Sequence, residues 1–240
     1  MYPEERDNWM RSMAAAGEIR NAELVLKRKD GRRIVVLENS RGVRDEHSQI
    51  LYYEGTLTDI TEAHELSRQL SYEASHDALT GLINRREFEL RLQGALDSAQ
   101  ASNATHAMCY LDLDQFKVIN DTCGHVAGDE LLRQLAQTLQ GRVRSNDTLA
   151  RLGGDEFGLL LHDCALEDAM SVAAGLLKTI EQHQFVWGNS TFSVGASIGL
   201  VPVNTGFRRI TQVLQAADAA CYAATIWRSE ERRVGKECRS

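Results

Sequence analysis

Three absences bound what this chain can be: it has no excess of basic residues, no paired cysteines and no long apolar run. Its 240 residues include 27 Lys and Arg against 34 Asp and Glu, which gives a formal net charge of −7. That balance argues against a protein that wraps nucleic acid through a basic face. A polyanionic ligand would have to be bound locally, by metal and a few cations.

The five cysteines are scattered, odd in number and never at C-x-x-C spacing. This usage indicates a reducing compartment, without a disulfide framework or a zinc site. The longest apolar run, residues 194–203, is far too short to span a bilayer, and no stretch resembles a signal peptide. We therefore expect a soluble, cytoplasmic chain, although a longer parent protein could carry membrane segments upstream.

The first 60 residues predict a helix followed by a small antiparallel sheet. Residues 3–16 have a helical pattern, and residues 19–29, 32–40 and 50–58 have strand patterns, the first two joined by an Asp-Gly turn. This order, with Lys29-Asp30-Gly31 and Asp59-Ile60-Thr61 in place, resembles the second half of a PAS sensor domain. The first half, which supplies much of the ligand pocket in that family, has no counterpart here, and the ligand is not identified. A small accessory sheet is the alternative.

Residues 61–75 predict a helix that joins two domains. Ala63, Leu66 and Leu70 stand at a- and d-like positions, but two heptads are too few to establish a coiled coil by periodicity alone. The position between two predicted domains favours a dimerising signalling helix.

The remaining pattern predicts an α+β fold, a ferredoxin-like or palm-type βαββαβ antiparallel sheet covered by helices on one face and preceded by the partial PAS-like sheet. Residues 229–240 are charged and aperiodic, which predicts a disordered, non-native tail. The predicted domains are residues 1–60, 61–75 and 76–228, followed by the tail. We expect helices over residues 88–96, 116–120, 129–143, 166–184 and 210–224, and strands over 105–113 and 191–203, the latter bent at Gly195 and Gly199.

A Gly-Gly turn followed by two acids carries the predicted chemistry. Apolar runs flank Gly153-Gly154-Asp155-Glu156, which predicts a hairpin whose tip holds two carboxylates. If the buried strand that ends near Asp112 is its neighbour, three carboxylates converge and require a cation or a proton. Oxygen ligands without His or Cys select Mg²⁺ or Mn²⁺, and a pair of such ions suits phosphoryl or nucleotidyl transfer.

The polar residues around these acids also have ordinary interpretations. Asp114 and Asp129 could each cap a helix, and a single His125 is more often a satisfied surface side chain than a ligand. Each of these interpretations suffices for one residue taken alone. Taken together with the hairpin, however, the same residues favour a nucleotide site.

The combined motifs resemble a GGDEF-domain diguanylate cyclase over residues 76–222. The resemblance rests on residues 112–121 (DLDQFKVIND), Gly124-His125, Gly128-Asp129, residues 153–157 (GGDEF) and the entry motif at residues 77–85 (DALTGLINR). It implies a bacterial signalling enzyme that condenses two GTP into cyclic di-GMP and two pyrophosphates, with one GTP on each protomer of a homodimer and two Mg²⁺ or Mn²⁺ ions in each site.

The same resemblance implies roles for individual residues. The metal ligands would be Asp112, the Leu113 carbonyl, Asp155 and Glu156, and one of the two hairpin acids would help to deprotonate the ribose 3′-hydroxyl. Lys117 would steady the triphosphate as a catalytic cation. The substrate-binding residues would be Phe116, Asn120, His125, Asp129, Gly153 and Gly154.

Arg144 and Asp147 resemble the family's R-x-x-D inhibitory product site, because they stand just before the hairpin. Arg stacks on guanine and pairs with phosphate, while Asp accepts hydrogen bonds from the guanine edge. The alternative is a polar loop between a helix and a strand.

One departure from the family pattern concerns the phosphates. Thr225 stands where the family usually has a lysine, and Arg228 could partly substitute. The intact acids favour a cyclase; the missing lysine favours a weak or silent module that binds GTP or cyclic di-GMP as a signal. A different nucleotide cyclase or palm-type polymerase shares the metal chemistry but does not predict the Arg144 to Asp147 motif.

Overall fold

Two sheet units follow one another along the chain, one ending at Tyr72 and the other beginning at Glu73. The structure, a computed structural model, describes residues 3–237, and for residues 3–8, 14 and 226–237 it describes the backbone alone. None of the helices in this described part is both long enough and apolar enough to cross a membrane.

The first unit is a three-stranded antiparallel sheet between two helices. Its elements are α1 (Pro3–Ala16), β1 (Glu18–Lys27), β2 (Arg33–Arg44), β3 (Ile50–Asp59) and all but the last three residues of α2 (Thr61–Ser75), with sheet order β1-β2-β3. The predicted turn joins β1 to β2, where Gly31 has a positive φ of 88° and the Asp30 carboxylate accepts from the Arg32 amide at 2.9 Å. The assignment of this sheet to a PAS domain stays a prediction.

The second unit is built on a five-stranded sheet in the order β10-β5-β7-β6-β4. Four of these strands, with α5 and α6 between them, form the predicted βαββαβ arrangement. The fifth, β4, adds to β6 in parallel. In chain order the elements are β4 (Ile83–Asn84), α3 (Arg85–Ser102), β5 (His106–Asp114), α4 (Phe116–Cys123), α5 (His125–Gln140), β6 (Thr148–Gly153), β7 (Glu156–Leu161), α6 (Leu166–Glu181), β8 (Gln184–Trp187), β9 (Ser190–Ser193), β10 (Gly195–Val203) and α7 (Ile210–Glu237).

Helices cover both faces of this sheet, so the prediction of a single covered face was wrong. Every residue of β5 from His106 to Leu111 is buried, because alternate side chains point to opposite faces and each face has a helical layer. One core cluster joins Leu111 to Leu131 of α5 and Leu176 of α6. The other joins Met108 to α3 and α7.

Two elements near the carboxyl end differ from the prediction. Residues 191–203 do not form one strand: β9 pairs with β8, and β10 pairs with β5. Gly199 is not a bend but a contact point, where a Cβ atom would overlap the main chain of Ala217 and Cys221 in α7.

Two helices also have different bounds. The helix predicted to start at Asp129 begins at His125, so Asp129 lies inside α5 and is not its cap. Helix α7 continues through Glu237, whereas we expected an end at Ala224 and a disordered tail; the Glu, Arg and Lys residues there are good helix formers. Residues 238–240 of the predicted tail lie outside the described residues.

Candidate functional site

The carboxylates converge at one end of the central strands. Asp112 of β5 lies opposite Glu156 of β7 in the antiparallel register, and the Leu113 amide donates to the Asp155 carbonyl at 3.3 Å. Side chains directly opposite each other on one sheet face are about 4.5–5.5 Å apart at Cβ. The two strands are therefore neighbours, and their register places Glu156 beside Asp112.

The electrostatic environment of Asp112 favours a cation. Partial burial, followed by the negative charges of Asp155 and Glu156, raises the pKa of Asp112 to about 6. Asp114 and Asp218 add smaller contributions of the same sign. A bound cation would relieve this repulsion, since it favours the ionised form of every carboxylate around it.

Two further residues that the sequence did not assign to the site lie near Glu156. Burial and a hydrogen bond to Glu156 raise the pKa of the Tyr110 phenol, so Tyr110 donates to that carboxylate. Arg85, at the start of α3, adds a positive charge near both groups and forms an ion pair with Glu89 at 3.0 Å. The period-2 pattern of β5, which puts Tyr110 on the face of Asp112, was the signal that could have identified it.

The Gly-Gly turn leaves its backbone open to a ligand. Gly153 and Gly154 have positive φ angles of 150° and 49°, and a Cβ atom at either position would meet no atom within 4 Å. Arg151 holds the turn: it donates to the Gly154 carbonyl at 2.8 and 3.0 Å and pairs with Asp77 of the entry motif at 3.2 Å.

The helices after β5 form a second part of the site, around Asn120. The Asn120 amide oxygen is buried and has no hydrogen-bond partner among the described residues. It lies against Gly128 of α5, where a Cβ atom would overlap it and would approach the Phe116 ring to 3.1 Å. Asp129, the next residue, is half-buried. An unpaired buried acceptor beside a glycine is suited to a ligand that donates hydrogen bonds.

Two of the predicted site residues, the catalytic Lys117 and the substrate-binding His125, lie at the surface of these helices. Lys117 in α4 and His125 at the start of α5 are exposed. Thr225, in the usual lysine position, is half-buried in α7, and its hydroxyl donates to the Cys221 carbonyl at 3.0 Å. That hydroxyl adds no positive charge, and the Arg228 side chain lies outside the described side chains.

The predicted inhibitory residues lie in the loop between α5 and β6. The Asp147 amide donates to the Arg144 carbonyl at 3.1 Å, and the Asp147 carboxylate accepts from the His162 amide at 3.1 Å. Arg144 is exposed at the rim of a cavity of about 410 Å³, which is also lined by Asp147, His76, Arg91 and Gln140. The loop therefore holds the Asp147 carboxylate in a fixed position, and a cavity that could receive a ligand lies beside it.

The donor set fits a hard divalent cation that shares its coordination with a substrate. Within the described residues, no three His, Cys, Asp or Glu side chains are already grouped to hold a metal ion. Mg²⁺ is usually bound by one or two carboxylates, with water and substrate phosphates as its other ligands. Asp112, the Leu113 carbonyl, Asp155 and Glu156 could supply that protein share.

Comparison with known proteins identifies the family that this site resembles. Residues 74–228 match the family described as "Diguanylate cyclase, GGDEF domain". The chain is 45% identical over 168 residues to the probable diguanylate cyclase DgcE of Escherichia coli, which covers 70% of this chain and 15% of DgcE. It is 40% identical over 171 residues to the cyclic di-GMP phosphodiesterase PdeB of Shewanella oneidensis, with coverages of 70% and 19%. The chain thus spans less than a fifth of either relative.

The fold is also similar to a solved structure, that of the coiled coil and GGDEF domain of DgcB from Caulobacter crescentus in complex with c-di-GMP. The two share a TM-score of 0.65 and 26% sequence identity, over 69% of this chain and 88% of that chain.

Proposed function

The chain belongs to the GGDEF family of diguanylate cyclases, and from this membership we propose that it condenses two GTP molecules into cyclic di-GMP and two pyrophosphates. The observation that carries the proposal is the register of Asp112 opposite Glu156 beside the open Gly153-Gly154 turn. We place the reaction in the cytoplasm, where GTP is available.

The reaction consists of two equivalent nucleotidyl transfers. The 3′-hydroxyl oxygen of each GTP attacks the α-phosphorus of the other, the bond to the β-phosphate oxygen breaks, and pyrophosphate leaves. The 3′-hydroxyl proton passes to Asp155 or Glu156. When bound, Mg²⁺ or Mn²⁺ neutralises the triphosphate and makes the hydroxyl more acidic. Tyr110 and Arg85 hold Glu156 in place for this step.

The protein's own residues bind and orient the nucleotide. The unpaired Asn120 oxygen accepts from the guanine N–H groups, and Asp129 accepts beside it. Phe116 shapes the pocket floor, His125 lies at its rim, and Lys117 binds the triphosphate from the surface. Gly153 and Gly154 admit the phosphates to the main chain. Each chain binds one GTP, so the reaction requires two copies that face each other.

The assay compares charge-neutralising variants with a matched control. Purified chain with GTP and Mg²⁺ should yield a dinucleotide on anion-exchange chromatography, and Asp155→Asn or Glu156→Gln should lower the rate by about 10²-fold or more. Asp163→Asn removes the same charge at the other end of β7, where φ is 46° and Asn is well tolerated, so it should leave the rate unchanged. A wild-type chain that makes no dinucleotide at micromolar concentration rejects the proposal.

A second candidate is a weak or silent module that binds GTP or cyclic di-GMP as a signal. The bonded Thr225 hydroxyl favours it, because the site lacks a cation there. Thr225→Lys separates the two candidates: a cyclase limited by this position should gain rate, whereas a silent receptor should bind nucleotide without product in both forms.

We further propose that cyclic di-GMP inhibits the enzyme at the cavity beside Arg144 and Asp147. Arg144→Ala should raise the product concentration that halves the rate by about tenfold, whereas the exposed neighbour Arg142→Ala should not. Equal inhibition of wild type and Arg144→Ala rejects this site.

A further inference from the structure

Glu38 is a carboxylate in an apolar position of the first sheet. It stands in the middle of β2 and is only 4% exposed. The register places it opposite Leu57 of β3 and Ala22 of β1. Its neighbour two residues earlier on the same face, Val36, belongs to the buried core. A charged side chain here is costly unless both of its oxygens find partners.

Among the described residues, only one of the two Glu38 oxygens has hydrogen-bond partners. Glu38 Oε1 accepts from the Trp9 indole N–H at 2.6 Å and from the Ser40 hydroxyl. Glu38 Oε2 is buried and has no partner among the described residues. An unpaired buried polar atom costs about 1–3 kcal/mol, and more when it is charged. None of the described residues donates a hydrogen bond that would offset this cost for Glu38 Oε2.

The unsatisfied carboxylate lines a cavity of about 710 Å³, a volume typical of small-molecule sites. The cavity walls are mostly apolar, and the Trp9 and Tyr53 rings meet edge to face with their centroids 5.2 Å apart. Aromatic faces attract cations electrostatically. The other walls include Leu24, Leu26, Leu57 and the carboxylate side chain of Glu54.

The second acid of the cavity, Glu54, does not carry a free charge. It forms an ion pair with Arg41, which donates from Nε at 2.6 Å. Glu38 is therefore the group that a ligand would neutralise. An anionic ligand would be repelled, and a neutral donor would leave the buried charge without a counter-ion.

We infer that this cavity binds a small organic ammonium ion, whose N–H donates to Glu38 Oε2 and whose apolar body lies against Trp9, Tyr53 and the leucines. This inference is independent of the cyclase reaction, because every residue that carries it belongs to the first sheet unit.

Titration with matched probes tests the site on the full chain. The probes are 2-phenylethylamine, which is protonated at neutral pH, the neutral 2-phenylethanol and the anionic 3-phenylpropionate. The readout is the ¹H–¹⁵N signal of the Trp9 indole, which reports on the partner of Glu38 directly. We expect a saturable shift with the amine and binding weaker by about tenfold or more with the alcohol and the acid.

Three variants complete the test. Glu38→Gln, which keeps the shape, should weaken amine binding by about tenfold or more, whereas Glu54→Gln should change it by less than about twofold. Leu57→Trp fills the cavity from an exposed position while the carboxylate of Glu38 is retained, and should abolish binding. The inference is overturned if the amine gives no saturable shift, if the alcohol binds equally well, or if Glu38→Gln binds as the wild type does. Should Glu38→Gln fail to fold, Leu57→Trp and the probe series still decide.

Discussion

Gly128 is the residue that gives Asn120 its place in the candidate site. A helix-interior glycine is unfavourable by about 0.5–1 kcal/mol relative to alanine, yet a Cβ atom here would overlap the Asn120 amide. The helix therefore loses some stability at Gly128, and in return the Asn120 amide oxygen keeps its place in the candidate site.

Gly128→Ala should displace the Asn120 side chain and raise the Kd for GTP by about tenfold, the equivalent of one hydrogen bond. Isothermal titration with GTP measures the effect. Gly175→Ala serves as the control, because Gly175 also lies within a helix but a Cβ atom there would meet open space. Equal GTP affinities for the two variants would contradict the role of Asn120.

His106 is a second residue whose surroundings have a measurable consequence. It is 3% exposed, its Nε2 has no partner among the described residues, and burial lowers its pKa from the usual 6.5. The folded chain therefore holds this ring neutral, while the unfolded chain protonates it near pH 6.5. The stabilisation that arises from keeping this ring neutral is fully present above pH 6.5, and it is lost as the pH falls below that value.

The free energy of unfolding should consequently decrease below about pH 6.5, by up to about 1.4 kcal/mol per pH unit for this histidine. Urea unfolding followed by circular dichroism at several pH values measures the slope. His106→Gln should reduce the slope, whereas substitution of the exposed His47 by Gln should not. His183, whose pKa burial also lowers, adds to the slope in all three proteins.

At the scale of elements, the contact between α7 and β10 depends on Gly199. The main chain of α7 passes so close to this position that a Cβ atom would overlap Ala217 and Cys221. The Cys221 thiol also donates to the Ser197 carbonyl of β10 at 3.2 Å. Backbone atoms cannot move aside as a flexible side chain can. A side chain added at position 199 would therefore force the whole of α7 to shift.

Gly199→Ala should therefore lower the free energy of unfolding by about 1–3 kcal/mol. Because α7 carries Asp218, whose negative charge contributes to the raised pKa of Asp112, the same variant should also lower the rate of the proposed cyclase reaction. Denaturant unfolding and the GTP assay give the two readouts. Gly94→Ala, in the open part of α3, should instead be neutral or slightly stabilising. No loss of stability in Gly199→Ala would contradict the close contact.

At the scale of the whole molecule, the proposed reaction needs two chains. Helix α2 has no buried residue among those described, and Leu66 and Leu70 are 56% and 57% exposed. Apolar side chains one turn apart on an exposed helix are suited to pairing with a second helix.

Leu66→Glu combined with Leu70→Glu should weaken dimerisation and lower the specific activity at a fixed protein concentration by about tenfold, because only dimers can join two GTP-loaded sites. Light scattering and a series of assays at rising chain concentration separate association from chemistry. Ser67→Glu adds a charge to another face of α2 and should be neutral. A variant whose rate is unchanged and independent of concentration would contradict dimer-dependent activity.

Local patterns predicted most of the second unit. The period-2 and helical periods located β5, β6, β7 and α5, and the Gly-Gly turn located the hairpin, because each signal arises within a few neighbouring residues. Helix ends were less predictable: His125 rather than Asp129 begins α5, since Gly124 provides the break. The helical layer on the second face of the sheet was also not predicted. The sequence of a strand buried on both faces does not indicate which helices cover each face.

The sequence by itself determined which chemistry is available: a pair of acids after two glycines, an aspartate at the end of a buried strand, and no cysteine or histidine cluster to compete for metal. Only the tertiary structure decided which residues meet. The antiparallel register brings Asp112 to Glu156. The packing of α4 and α5 buries the Asn120 amide oxygen, and the first sheet buries one oxygen of Glu38, each without a hydrogen-bond partner among the described residues. Residue types and spacings are local properties of the chain, whereas these contacts join positions tens of residues apart and exist only once the sheets have formed.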